Sequence, residues 1–273
     1  MKNILFLILC SGMVACGAPT ETPKKEEKQA VPVEPPTTSY TNYVNPLMGT
    51  DSTFELSNGN TYPAIAVPWG MHFWTPQTGK MGDGWAYQYH AQKIRGFKQT
   101  HQPSPWINDY GAFALMPVVG NLKIKEDERA SWFSHKTETA QPHYYKVYLA
   151  DYDTTVEITP TNRAAQFRFT FPETDKAYLL LDAFFKGSKV QVLPQERKII
   201  GYARNNSGGV PENFHNYFVI TFDKDFESVQ TWGNGYKLSN KPQSEGEHTG
   251  AVIGFRTKKG EQITAKVASS FIS

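Results

Sequence analysis

From Tyr145 to the end of the chain, apolar and polar residues alternate in short runs. A strand exposes successive side chains on opposite faces, so this period of two restricts the chain to pleated strands with one face in a core. Ala165, Phe167, Phe169 and Phe171 alternate with Gln166, Arg168 and Thr170, the clearest run of the kind. Tyr145, Val147 and Leu149 alternate with Lys146 and Tyr148, and Ile263, Ala265 and Val267 with Gln262, Thr264 and Lys266. Further short runs are expected at Thr155–Thr161, Ala177–Ala183, Val190–Leu193, Lys198–Ala203, Tyr217–Phe222 and Ala251–Arg256. Turn-forming clusters separate them, among them Asp151-Tyr152-Asp153, Lys186-Gly187-Ser188 and Lys259-Gly260. No window beyond about 12 residues holds a helical period. The pattern predicts an all-β chain of packed antiparallel sheets, an antiparallel β-sandwich with few helices.

The N-terminus reads as targeting sequence. Lys2 precedes a short apolar run, Ile4–Leu9, and Val14-Ala15-Cys16 resembles a bacterial lipobox. The run is too short to span a bilayer, which takes about 20 residues. Residues 1–15 are therefore expected to be a lipoprotein signal peptide, with Cys16 as the lipidation site. An ordinary secretory signal is the alternative. Residues 16–38 hold five prolines and the run Lys24-Lys25-Glu26-Glu27-Lys28, with almost no large apolar side chain. Such a segment cannot bury enough surface to offset its chain entropy and is expected to be a disordered tether. That leaves 39–273 as the folded domain. The chain's two cysteines, Cys10 and Cys16, both fall before it, so it has no cysteine for a disulfide or a metal. Basic and acidic residues are interspersed and nearly balanced, at a net charge of +2, with no basic stripe that would suit a nucleic acid. A membrane lipoprotein on the periplasmic or cell-surface side is the expected location.

Residues 58–117 break the rhythm. Trp69, Trp74, Trp85 and Trp106 lie there with His72, His90 and His101, among many Gly and Pro and few aliphatic runs. Flat aromatic faces beside hydrogen-bonding Asn, Gln and His suit a loop-built surface for a hydroxyl-rich ligand such as a sugar. Self-packed loops with small aromatic cores are the equal alternative, because Trp is mostly buried. Flanked by Pro68 and Pro76, Trp69 and Trp74 read as structural; Trp85 and Trp106 read as sugar platforms. The three histidines lack the spacing of a compact metal motif. Hydrolysis of a glycosidic bond with inversion needs two carboxyl groups about 6.5–9.5 Å apart. Asp83 and Asp109 are the only candidates in these loops, against a simpler reading as turn and loop-anchoring residues. The cluster Asn205-Asn206-Ser207-Gly208-Gly209 reads as a turn, or else as a loop that meets a ligand.

An ordered set of motifs resembles one family. Tyr43-Val44-Asn45-Pro46-Leu47-Met48-Gly49-Thr50 is similar to the opening of glycoside hydrolase family 92, the calcium-dependent exo-α-mannosidases. Val67-Pro68-Trp69-Gly70-Met71, Ile94-Arg95-Gly96-Phe97, Asp109-Tyr110-Gly111, Phe133-Ser134-His135 and Val267-Ala268-Ser269-Ser270-Phe271 follow in order. The resemblance implies the family's N-terminal β-sandwich, similar to the galactose-mutarotase-like supersandwich. It also implies a partner, an (α/α)6 barrel that carries the catalytic acid, the base and Ca2+, whereas the motifs found here stop before that barrel. By this resemblance the chain itself holds no catalytic residue, cofactor or metal, and its ligand is a mannose-containing glycan. Tyr62, Trp85, His101, Trp106 and Asn108 are the expected substrate-binding residues. The chain departs from better-known members at Tyr62-Pro63-Ala64, Lys98-Gln99-Thr100-His101 and Gln102-Pro103-Ser104-Pro105-Trp106, loops that face the sugar in the family. Two other readings stand beside an enzyme's N-terminal domain: a free-standing carbohydrate-binding module, and a structural partner of a separately encoded barrel.

Overall fold

The computed structural model of the chain describes residues 40–51, 61–81, 86–102 and 109–273. Cys16, Asp83, Trp85, Trp106 and Asn108 lie outside the described residues. In chain order the strands are β1 (Phe73–Gln77), β2 (Lys93–Ile94), β3 (Gly96–Thr100), β4 (Ala114–Val119), β5 (Ser131–Trp132) and β6 (Thr139–Gln141). Next come β7 (Tyr144–Leu149), β8 (Thr154–Pro160), β9 (Ala164–Phe171), β10 (Thr174–Asp182), β11 (Ser188–Leu193) and β12 (Lys198–Ala203). The last six are β13 (Asn216–Phe222), β14 (Ser228–Trp232), β15 (Leu238–Ser239), β16 (Gln243–Gly246), β17 (Gly250–Thr257) and β18 (Glu261–Ser270). One α-helical turn, α1 (Glu126–Arg129), precedes β5.

Two large antiparallel sheets face each other, as the alternation predicts. One has nine strands in the order β16-β11-β12-β13-β18-β9-β8-β7-β6, and the other seven in the order β1-β3-β4-β10-β17-β14-β15. In the nine-stranded sheet one face is wet: along β9 and β18 every other side chain is buried and those between reach towards solvent. Aromatic rings join the two layers. Trp74 of β1 meets Phe167 of β9 with ring centres 4.9 Å apart, and Phe222 of β13 meets Phe255 of β17 at 6.1 Å. Phe113, just before β4, meets Phe218 of β13 at 4.7 Å. Such pairs contribute roughly 0.5–1.5 kcal/mol each beyond the area they bury.

The seven-stranded sheet is covered on both faces. All but one residue of β4 and all but one of β17 are buried. The register puts Leu115, Leu181 and Ala251 in one row across β4, β10 and β17. Lys98, Ala114, Asp182 and Gly250 form the neighbouring row on the opposite face. There Asp182 meets Arg129 from α1 and His248 from the loop before β17. Gly250 is obligatory, because a Cβ would lie 2.0 Å from the ring of the fully buried Trp232 and 2.4 Å from the Leu181 carbonyl oxygen.

The region read as loop-built is therefore partly strand: β1, β3 and β4 form one side of the seven-stranded sheet. Trp74 is structural as expected, whereas Trp69 is 99% exposed. It occupies the third position of a turn closed by the Gly70 amide donating to the Val67 carbonyl at 3.0 Å. With Pro68 at the second position and φ +63° at Trp69, this is a type II turn whose third position favours Gly. A flanking proline fixes the backbone of its neighbour but leaves the direction of the side chain to the turn.

Candidate functional site at one end of the sandwich

The chain crosses between layers at one end. The ends of β3, β10, β12 and β18 and the starts of β1, β4, β11, β13 and β17 gather there. Two buried amides peg the layers together. Asn205 donates from Nδ2 to the Ala112 carbonyl (2.7 Å) and accepts at Oδ1 from the Ala112 amide (2.8 Å). Asn216 donates from Nδ2 to Gln99 Oε1 (2.9 Å) and to the Gly111 carbonyl (2.6 Å). Three of these four bonds need the backbone at 111–112 close to these side chains. Gly111 permits this with φ +61°, where an added Cβ would sit 2.5 Å from that of Asn216.

Asp109 fastens the base of the loop that leaves β3. Its carboxylate accepts from the His101 amide at 2.9 and 3.1 Å and from the Tyr110 amide at 2.8 Å. That geometry is a loop anchor's, the simpler of its two sequence readings. The His101 ring is buried, with Nδ1 3.6 Å from Asp109 Oδ1. It stacks on Tyr110 at 5.1 Å and lies 6.4 Å from His72. His72 is wholly buried, and burial, helped by the neighbouring His101, pulls its pKa down to about 4, so its ring is neutral at pH 7. Tyr62 is also buried: its hydroxyl accepts from Thr100 Oγ1 (2.7 Å) and donates to the Gln102 carbonyl. Burial pushes that phenol far above its ordinary range. Tyr62 and His101 are thus buried rather than at the surface, while Trp85, Trp106 and Asn108 belong to segments outside the described residues.

Two concavities flank the Asp109–Gly111 turn. The first, of about 270 Å³, is lined by Met81, Lys98, Asp109, Phe185, Lys186, Asn205, Asn206 and Ser207. Its rim is charged, and Lys186 Nζ donates to the Asn206 carbonyl. Phe184 and Lys186, at φ +59° and +67°, hold the segment after β10 in the left-handed region that costs non-glycine residues energy. Beneath that segment, Asp182 accepts from the Phe184 amide (3.0 Å), from Arg129 Nη1 (2.7 Å) and from His248 Nε2 (2.7 Å). Burial opposes its charge, but Arg129 and His248 together outweigh that and keep the Asp182 carboxyl below the usual range. Nearby Glu126 is held above its usual range by burial and then by Asp182. The second concavity is an open groove of about 600 Å³ along Tyr110, Phe214 and Phe271. A larger depression, about 990 Å³, lies at the other end between the β9–β10 and β17–β18 turns. Charged turn residues of both signs line it, including the paired Lys224 and Glu261, and it has no aromatic face.

Asn216 and Phe214 were not singled out from sequence, and Lys186 only as part of a turn. The one available signal was the Asn205–Gly209 cluster, in which Asn205 is a structural peg and Asn206 lines the charged cleft.

The fold is an all-β sandwich whose layers are joined at one end by buried amides and aromatic rings. The profile of the glycosyl hydrolase family 92 N-terminal domain matches residues 43–270. The chain belongs to that family. It is similar to the family GH92 inverting mannosidase BT2199 from Bacteroides thetaiotaomicron, at 45% identity and a TM-score of 0.84 over 88% of this chain and 32% of that one. It is also similar to the family GH92 α-mannosidase BT3965 from the same organism, solved in complex with mannoimidazole. That match has 33% identity and a TM-score of 0.74 over 85% of this chain and 32% of the other. The likeness to the family glycosyl hydrolase ccman5, at 23% identity and a TM-score of 0.71 over 85% of this chain and 32% of that one, is one of fold. The chain spans about a third of the length of these relatives. No curated protein matches it.

Proposed function

We propose that this domain supports an α-mannosidase that acts on mannose-containing glycans, including N-glycans. It shapes the entrance to the sugar site, while an (α/α)6 barrel supplies the catalytic acid and base. The observation that carries this reading is the family match across 43–270. The site chemistry agrees with a supporting role. Asp109, the one described carboxylate among the loop candidates, is held by the His101 and Tyr110 backbone amides, as a loop anchor is. The family resemblance, rather than any feature of this domain, is the reason to place Ca2+ in the barrel, and no step is derived through it here.

The test compares the isolated chain with the same chain fused in frame to a family 92 barrel, assayed on α-linked mannobiose with and without calcium. Turnover is expected only from the fusion. Turnover by the isolated chain that Asp83→Asn or Asp109→Asn abolishes would overturn the reading.

The lipobox-like segment supports a second proposal, that Cys16 carries a lipid and holds the domain at a bacterial membrane. Cys16→Ser should move the protein from the membrane fraction to the soluble one, and unchanged membrane association would count against the anchor.

A further inference from the structure

The aromatic groove beside Tyr110 is built differently from the charged cleft on the other side of the same turn. Ring centres of Tyr110, Phe214 and Phe271 stand 5.7 to 6.0 Å from one another and form a continuous wall. The wall is held in place. Tyr110 lies nearly parallel to the buried His101 ring at 18°, and Phe271 touches the same ring at 5.0 Å. The Phe214 amide donates to the Pro211 carbonyl (3.0 Å), and the Phe214 carbonyl accepts from Arg204 Nε (3.2 Å). Yet the rings are not core, since Phe271 remains 37% exposed. Gln102, Asn213 and His215 rim the groove, and among the described residues no Lys, Arg, Asp or Glu lines it. His215 is fixed by Nδ1 on the Asn213 carbonyl (2.7 Å) and by stacking on Tyr217. Its Nε2 makes no bond among the described residues.

We infer that this groove, rimmed by Gln102, Asn213 and His215, is a binding site for an uncharged pyranose. Rigid aromatic faces match the apolar face of a sugar ring, and amide and imidazole groups match its hydroxyls without a charge to desolvate. The volume falls within the ~300–1,000 Å³ typical of small-ligand sites. A purely apolar partner would leave the amide rim unpaired, and the one cation against the wall, Arg204, is already engaged by the Phe214 and Glu212 carbonyls. The inference rests on the carbohydrate reading above, since the rings alone do not distinguish a sugar from another flat neutral ligand.

The test uses the full chain with Cys16→Ser and ligand-observed saturation-transfer NMR with methyl α-mannoside and with mannose 6-phosphate. Phe271→Ser and Phe214→Ser should weaken methyl α-mannoside binding about tenfold. Phe271→Ser, at a part-exposed position, should shift the melting temperature by only about 2 °C, which separates lost binding from lost folding. The phosphate should bring no gain. Loss of binding in Trp85→Ala and Trp106→Ala but in neither groove variant would overturn the groove and leave the mannosidase reading standing. So would stronger binding of the phosphorylated sugar, which would place the ligand in the cleft with Lys98 and Lys186. Absence of any sugar binding would also overturn the groove, and the fusion assay would then decide the broader reading alone.

Discussion

The two sheets differ in how their charged groups are used. On the wet face of the nine-stranded sheet, Arg168 of β9 makes two 2.6 Å bonds to Glu157 of β8, with the guanidinium half in solvent. On the outer face of the seven-stranded sheet, Arg129 and Asp182 pair at 2.7 Å with both side chains at most 1% exposed. The first pair exchanges water for a partner at little net gain. The second is enclosed, and either member alone is left as an uncompensated charge. Placement on a covered or an uncovered sheet face, more than the ion pair itself, sets its weight.

The largest effect expected from this difference is at Asp182. Asp182→Ala strands Arg129 and His248 and should cost about 3–5 kcal/mol in urea unfolding. A loss below about 1 kcal/mol would mean that water reaches this face and that the two sheets are alike.

A smaller effect, set by pH, tests burial near β1. Folded His72 has a pKa of about 4 against about 6.5 unfolded. Above 6.5 both states are neutral and stability is unaffected. As pH falls from 6.5 towards 4 the unfolded chain takes up a proton that the folded chain refuses, so stability should drop by up to about 3 kcal/mol and then level off. His72→Leu should flatten that portion of the curve, measured as urea midpoints between pH 7 and pH 4. Asp182 acts in a lower window: its depressed carboxyl stabilises the fold above its unfolded pKa and loses that contribution as pH falls through the folded value.

Arg168→Ala, on the wet sheet, should cost only about 0.2–1 kcal/mol and less in high salt. A cost equal to that of Asp182→Ala would erase the contrast. The smallest change has the opposite sign. Trp69→Gly relieves a left-handed bulky residue worth about 1–2 kcal/mol, partly offset by the extra freedom of glycine in the unfolded chain, roughly 0.5–1 kcal/mol. Thermal melts should show a slight gain in stability, and a clear loss would mean that Trp69 packs in solution.

The same contrast explains what could be read in advance. Strands β7, β8, β9, β12, β13 and β18 announce themselves because one face meets water, and water imposes the alternation. Strands β1, β3 and β4 do not. Phe73-Trp74-Thr75-Pro76-Gln77 and Gly96-Phe97-Lys98-Gln99-Thr100 carry polar residues that are buried all the same, so neither run alternates. Within the candidate site, the family motifs marked His101 and Asp109, but no local rule placed Asn216 117 positions from Gln99 and bonded to it, or brought Phe214 and Phe271 beside Tyr110.

The sequence by itself determined the all-β class, most strands of the nine-stranded sheet and the family, because these depend on periodicity and on motifs that are contiguous along the chain. Tertiary structure alone decided that Trp69 is bare, that Tyr62 and His101 are buried, and that one turn separates a charged cleft from a neutral aromatic groove. Those outcomes depend on which distant segments cover a side chain. Burial, and with it the strength of every charge and hydrogen bond, is a property of that covering rather than of the residue.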